Sequence, residues 1–258
     1  MNPQSPARLF LIDGMAQLYR AHFGMIHNPL ITRDGRHTSA IFGFMNMLFK
    51  LIRDENPDYL AIIMDSREPT FRHKLYTDYK ATRERMPEEL VQQLEPLREV
   101  IAASNIPVIA KPGYEADDII GTFAKQAEKE GFNTFIVTGD KDMMQLISES
   151  TFMFTTGNRF KPTTIYDIQG VIDKWGVSPD KIIDFLTLLG DSSDNIPGVD
   201  GIGKVGAAKL LTEYGTLDNI ILHTGDIKNK RARNGLINSK DMIHLSKELV
   251  TILTDVPL

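Results

Sequence analysis

Five short stretches of this 258-residue chain place acidic side chains where they could do chemistry together. Asp13 directly follows the apolar run 8–12, Asp65 follows the run 59–64, and Asp140 and Asp142 follow the run 133–138. Continuous apolar runs of this length, rich in β-branched residues, read as parallel strands buried on both faces. Open α/β sheets bind ligands beyond the carboxyl ends of their strands, so three strands deliver carboxylates to one edge. Any one of these acids is equally well explained as a helix N-cap. Their repetition at one topological position is what favours a shared site. A further cluster, Glu115-Ala116-Asp117-Asp118, opens a helix after Gly113-Tyr114. Spacing predicts Glu115 and Asp118 on a common helix face, with Asp117 projecting elsewhere and serving from the side or through water. The last cluster is Gly190-Asp191-Ser192-Ser193-Asp194-Asn195. For these two clusters the plainer alternatives are complementation of a helix dipole and a capped loop.

Nine carboxylates converging on one edge would raise one another's pKa and oppose folding unless cations bind or several stay protonated. The clusters contain no Cys and no His, and oxygen-only donors select hard cations, Mg²⁺ or Mn²⁺ rather than Zn²⁺. More acids than one Mg²⁺ can use implies two or more metals, the arrangement that serves in-line displacement at phosphorus. The implied reaction is phosphodiester hydrolysis. The formal net charge of −5 argues mildly against a polyanion binder, but neutralising these nine acids leaves +4 on the rest of the chain.

The elements that must position these residues alternate through the first part of the chain. Strands are expected at 8–12, 59–64, 106–109 and 133–138, with helices at 40–53, 87–104 and 115–130 between them. The fold class is therefore α/β, a mostly parallel central sheet with helices on both faces. No strand is expected after Phe154. Ser178-Pro179-Asp180 opens a helix whose apolar face is Ile182, Ile183, Phe185, Leu186 and Leu189. The expected domains are 1–165, an α/β unit, and 166–258, a helical subdomain, meeting without a flexible linker near 162–166 and packed as one body.

Composition removes other classes. The absence of cysteine excludes disulfides, zinc ribbons, iron–sulfur clusters and thiol catalysis. The longest stretch without Asp, Glu, Lys or Arg, 37–49, has 13 residues against the ~20 of a membrane span. The first six residues lack a leader pattern, so a soluble cytoplasmic protein is expected.

Gly201-Ile202-Gly203-Lys204-Val205-Gly206 matches a dinucleotide-binding fingerprint, but no strand precedes it; Val205 also stands where a phosphate-binding loop needs Ser or Thr. An apolar helix, a Gly-x-Gly hairpin and a second helix with Val205, Ala208 and Leu211 on one face fit a helix–hairpin–helix. Its backbone N–H groups around 201–205 can hold a nucleic-acid phosphate without reading sequence. A plain tight helix connection is the alternative. Residues 228–240, with five basic groups and no acid, extend the same track. Residues 67–85 interleave Arg67, Arg72, Lys74, Lys80, Arg83 and Arg85 with Phe71, Tyr76 and Tyr79, a pattern for tracking phosphates and stacking unpaired bases, or equally a solvated helix face with aromatic anchors.

These stretches together resemble the 5′-nuclease (flap endonuclease-like) family, and within it the 5′→3′ exonuclease domains of bacterial DNA polymerase I. The resemblance is carried by Leu11-Ile12-Asp13-Gly14, Phe71-Arg72-His73-Lys74, Asp78-Tyr79-Lys80, Gly113-Tyr114-Glu115-Ala116-Asp117-Asp118, Thr138-Gly139-Asp140-Lys141-Asp142, and the run from Gly190-Asp191-Ser192-Ser193-Asp194-Asn195 through Ile196-Pro197-Gly198-Val199. It implies a metal-dependent nuclease acting on 5′ ends and 5′ flaps of DNA in replication and repair. By that resemblance Asp13, Asp65, Glu115, Asp117, Asp118, Asp140, Asp142, Asp191 and Asp194 hold or orient Mg²⁺ or Mn²⁺. Lys80 and Arg83 stabilise the scissile phosphate from a helical arch near 67–86. Arg72, Lys74, Tyr79, Gly201, Gly203, Lys204 and Val205 contact DNA, with a K⁺ ion at the hairpin. A polymerase domain in the same or another chain is an implied partner, and a monomer is expected. The competing readings are a non-catalytic branched-DNA-binding module with a structural cation, and a small-domain ribonuclease.

Overall fold

The apolar runs form parallel strands because each is buried on both faces and has no polar side to present to water. In the computed structural model, which describes residues 5–157 and 161–258, these are β1 (Arg8–Asp13), β2 (Tyr59–Ile63), β3 (Val108–Ile109) and β4 (Asn133–Val137). Strand β5 (Thr151–Thr155) adds in parallel to β4, and β6 (Thr164–Tyr166) closes the edge antiparallel to β5. The six-stranded sheet has the order β3-β2-β1-β4-β5-β6. Strand β6 corrects the expectation that none follows Phe154. It has three residues, none buried, and leaves no periodic signal. Of the opening residues read for a leader pattern, 1–4 lie outside the described residues.

Helices α1 (Gly14–Gly24), α2 (Ser39–Glu55) and α4 (Glu88–Ala103) cover one face, packing Leu18, Phe44, Leu48, Leu90 and Leu97 against Phe10 and Ile12. Phe10 stacks on Phe135 of the neighbouring strand at 4.7 Å between ring centroids. Helix α5 (Ala116–Lys129) covers the other face through Ile119 and Ile120 against Leu11, Ile63 and Ile136.

Residues 67–86, expected as a helical arch, contain one five-residue helix, α3 (Phe71–Leu75); turns and extended chain follow it. Local turn bonds and two tertiary partners take its backbone groups instead of a helical ladder. The Lys80 N–H donates to the Asp194 carbonyl at 2.9 Å, and Asn195 Nδ2 donates to the Asp78 carbonyl at 2.8 Å.

The helical part comprises α6 (Ile168–Trp175), α7 (Ile182–Leu189), α8 (Lys204–Tyr214), α9 (Leu217–Leu222), α10 (Lys230–Asn238) and α11 (Lys240–Val250). Helix α7 buries Ile182, Phe185, Leu186 and Leu188 at the centre of this core. Its Asp184 accepts from the Leu217 N–H and pairs with Lys247, each at 2.9 Å, tying three helices together. Helix α8 buries Ala207, Leu210 and Leu211. Val205, expected on that apolar face, is 81% exposed because it sits in the first turn on the outer side. Beyond α11 the chain returns to the sheet, where Ile252 joins the α5 core and the Val256 N–H donates to Thr122 Oγ1. Among the described residues no helix is long and apolar enough to cross a membrane.

Candidate active site

Three adjacent parallel strands, β2, β1 and β4, end in acids that also fix the start of a helical element. Asp13 Oδ1 caps α1 by accepting from the Ala16 N–H at 3.0 Å, while its Oδ2 accepts from Thr138 Oγ1 at 2.8 Å. Asp65 accepts from the Ala116 N–H at 2.9 Å and so pins the start of α5 beside β2. Asp140 accepts from the Asp142 N–H at 2.9 Å, opening the 3-10 turn Lys141–Leu146. The capping and ligand readings of these acids are therefore compatible, since each carboxylate keeps lone pairs to spare.

Asp13, Asp65, Glu115, Asp117, Asp140 and Asp194 line one cavity of about 420 Å³, with Lys80 and Arg83 on its wall and Met15 and Tyr19 as its apolar side. Asp142 and Asp191 stand behind Asp140. Asp191 pairs with Lys141 at 2.9 Å and accepts from the Ser193 N–H at 2.8 Å. The bend carrying Asp191 and Asp194 depends on Gly190, which has φ of 73° and no room for a Cβ; one built there would lie 2.4 Å from the Gly198 nitrogen.

Asp118 also stands outside the cavity lining. It is fully buried with both oxygens engaged, by Arg72 at 2.8 Å on each and by the Glu115 and Leu253 N–H groups. Spacing predicts Glu115 and Asp118 on one face; the structure sends Glu115 and Asp117 into the cavity and Asp118 behind it. Glu115 is the N-cap, with extended φ and ψ of −88° and 161°, so helical spacing does not yet apply to it.

Packing these acids together without cations is costly. Burial above all, and then Asp65 and Asp140, push the Asp13 carboxyl up to about 6, against the hydrogen bonds from Ala16 and Thr138. Burial, followed by Asp140, Asp13, Glu115 and Asp65, pushes Asp117 well above the ordinary range, and Asp140 and Asp142 are raised as well. Glu115 is lowered despite its burial, because Lys80 and Arg72 together outweigh it. Asp142 Oδ1 is buried with no hydrogen-bond partner. Among the described residues no three Asp, Glu or His side chains are gathered tightly enough to chelate an ion as they stand. A cavity whose only anionic donors are oxygens, raised carboxyls and a spare buried oxygen nearby nevertheless fit a hard divalent cation.

A pH dependence follows. A carboxyl whose folded pKa is raised binds more protons folded than unfolded between the two values, so stability falls as pH rises through that interval. The metal-free protein is expected to lose thermal stability between about pH 4 and 6, the interval between the ordinary and folded values of Asp13. Added Mg²⁺ should raise the melting temperature more at pH 8 than at pH 5. Calorimetric scans across this range check both trends; a metal-free melting temperature that climbs from pH 4 to 6 would contradict them.

Two residues expected at the DNA interface are instead internal. The Arg72 side chain is 3% exposed and uses all of its fork: Glu115 at 3.1 Å, Asp118 twice, and the Leu249 and Thr251 carbonyls at 2.9 and 2.7 Å. Tyr79 is 4% exposed, and its hydroxyl lies 3.0 Å from Glu115 Oε2 and 3.3 Å from Asp194 Oδ2. Burial and the pull of two carboxylates remove both side chains from any strand passing outside. Lys74 is exposed. At the hairpin, Gly201 has φ of 80° and lies against Arg231, while Gly203 and Val205 are exposed. Lys204 Nζ donates to the Lys174 carbonyl at 2.7 Å and sits 4.3 Å above the Trp175 ring, so its charge is partly engaged. Sequence spacing gives no hint of Thr138, whose hydroxyl bridges β4 to Asp13, or of Lys141 as the partner of Asp191. Their only signal is membership in the Thr138-Gly139-Asp140-Lys141-Asp142 stretch.

Residues 8–176 match the family model of the 5′-3′ exonuclease N-terminal resolvase-like domain, and residues 177–258 that of the 5′-3′ exonuclease C-terminal SAM fold. DNA polymerase I of Rhizobium leguminosarum is 45% identical over 97% of this chain, and that of Bacillus subtilis 40% identical over 97%. The chain spans 25% and 28% of the length of these two relatives. Among solved structures, the zinc-bound bacteriophage T5 5′-exonuclease superposes with a TM-score of 0.78 at 20% identity, covering 94% of this chain and 89% of that one. The catalytic core of Rad2 in complex with DNA superposes at 0.60 and 18% identity, covering 97% and 82%. At these identities the superpositions speak for the fold.

Proposed function

The chain belongs to the 5′-3′ exonuclease family, as its motifs indicated, and from that premise we propose a nuclease that hydrolyses 5′ ends and 5′ flaps of branched DNA with two divalent metal ions. The observation that carries this reading is one cavity in which Asp13, Asp65 and Asp140 from the ends of three adjacent parallel strands meet Glu115 and Asp117 from the start of α5 and Asp194 from the bend after α7, with two cationic side chains among them. Asp13, Asp65, Glu115, Asp117, Asp140 and Asp194 would hold Mg²⁺ or Mn²⁺, with Asp142 and Asp191 orienting Asp140 and its neighbours. Asp118 serves by fixing Arg72. Bound there, the metals supply positive charge to the scissile phosphate and lower the pKa of water.

The chain's own groups do the rest. Lys80 and Arg83 offset the charge that develops on the phosphate, leaving a 5′-phosphate and a 3′-hydroxyl. The 201–205 hairpin, with its N–H groups at the start of α8 and a K⁺ ion, grips the duplex backbone, and the basic face of α10 continues that track. The protein works as a cytoplasmic monomer with a DNA polymerase as its partner, in the same or another chain, removing primers and flaps.

Incubation of the purified chain with a labelled 5′-flap duplex and Mg²⁺ tests the reading against a pure DNA-binding module, which would leave the flap intact. Single-stranded RNA cleaved in preference to the flap would favour a ribonuclease. Lys80→Ala is expected to lower turnover on the flap by roughly a hundredfold, the scale of one lost transition-state contact, with duplex affinity within a few-fold. Equal losses in both, measured by single-turnover kinetics and by binding, would contradict its assigned role.

A further inference from the structure

Lys80 and Arg83 already have partners, and those partners are cavity carboxylates. Lys80 Nζ lies 2.6 Å from Glu115 Oε1 and 3.7 Å from Asp194 Oδ2, and Arg83 Nη2 lies 2.9 Å from Asp194 Oδ1. We propose that these two side chains are the chain's own counter-cations for the acidic cavity, displaced when divalent metal binds, so that loading the cavity releases the 78–83 segment. This rests on the reading of the cavity as a metal site.

Glu115 shows the competition most plainly. Its Oε2 is held by Arg72 and Tyr79, which leaves Oε1 as the oxygen a metal could reach, and Lys80 occupies it. An ammonium and a divalent ion repel one another and cannot both sit on that oxygen at full strength. The same competition spreads the cluster, since Glu115 leans to Lys80, Asp194 to Arg83 and Asp191 to Lys141. Backbone geometry reinforces the latch. Lys80 holds a left-handed φ of 58°, unusual for a long side chain, and its N–H donates to the Asp194 carbonyl. The Tyr79 hydroxyl bridges Glu115 and Asp194 beside it. Ion pairs and a hydroxyl bridge to two carboxylates, with a backbone hydrogen bond to the Asp194 carbonyl, thus fasten one short segment to Glu115 and Asp194. By linkage, whatever the latch costs the metal in affinity, the metal returns as opening of the latch.

The test uses the full chain and Mn²⁺ alone, with free Mn²⁺ followed by electron paramagnetic resonance. Lys80→Met is expected to bind Mn²⁺ about tenfold more tightly than the unaltered chain, within the usual range of such couplings. Arg85→Met removes the same charge from an exposed position that no carboxylate holds among the described residues, and should change affinity less than twofold. Mn²⁺ should also speed tryptic cleavage of the unaltered chain after Lys80 and Arg83. Where Lys80→Met fails to fold, Lys80→Gly, which suits the left-handed backbone, takes its place. Affinity unchanged or weakened by the Lys80 variant, or raised equally by Arg85→Met, would overturn the latch and leave the metal site standing. No saturable Mn²⁺ binding by any of the chains would overturn both.

Discussion

Asp140→Asn is expected to cut flap cleavage by roughly a thousandfold or more while the protein still binds the duplex, because under the proposed reading it loses a charge that would hold metal, and with it several kcal/mol of transition-state stabilisation. Asp140 is the choice that separates chemistry from folding. Its carboxyl is raised by burial and by Asp194 and Asp191, so replacing it with a neutral amide relieves repulsion in the metal-free protein. An amide oxygen can still accept from the Asp142 N–H, which preserves the turn that Asp140 opens. The variant should therefore melt no lower than its parent without metal and gain less from added Mg²⁺. Full activity would remove Asp140 from the reaction, and a collapse in stability would make its role structural.

Arg72→Met carries the largest expected loss of stability, about 3–5 kcal/mol, the cost of leaving a buried charge without its partner. Asp118 is fully buried and has Arg72 as its cationic partner, and the Leu249 and Thr251 carbonyls lose their donors in the same step. The fork joins three distant pieces of chain: the 67–86 segment, the start of α5 and the exit from α11. Urea unfolding of the variant should show a marked drop in midpoint, and Arg72→Lys should recover little, since one ammonium cannot reproduce a planar fork. A loss under about 1 kcal/mol would mean that water or a rearranged neighbour satisfies Asp118, contrary to the burial seen here.

The strand-end acids were legible in the sequence because two regularities coincide. Buried parallel strands write continuous apolar runs, and ligand sites in such sheets lie past the carboxyl ends, so Asp13, Asp65 and Asp140 could be placed without coordinates. Asp118 could not. Helical spacing groups it with Glu115, but the chain has not entered the helix at Glu115, and the one residue of difference turns Asp118 inward and Asp117 outward. Arg72 and Tyr79 look like substrate contacts because basic and aromatic residues alternate in their segment. Nothing local reveals that Asp118, 46 residues away, claims the guanidinium. Strand β6 and the exposure of Val205 were hidden for a simpler reason: a three-residue edge strand and a first helical turn are too short to carry a period.

Crystals of the protein soaked in Mn²⁺ and measured for anomalous scattering give the most direct test. Peaks inside the cavity, bounded by Asp13, Asp65, Glu115, Asp117, Asp140 and Asp194, with Lys80 drawn off Glu115, are the predicted result. A cavity without manganese, its carboxylates still turned to Lys80 and Arg83 at saturating ion, would contradict the proposed hydrolytic centre.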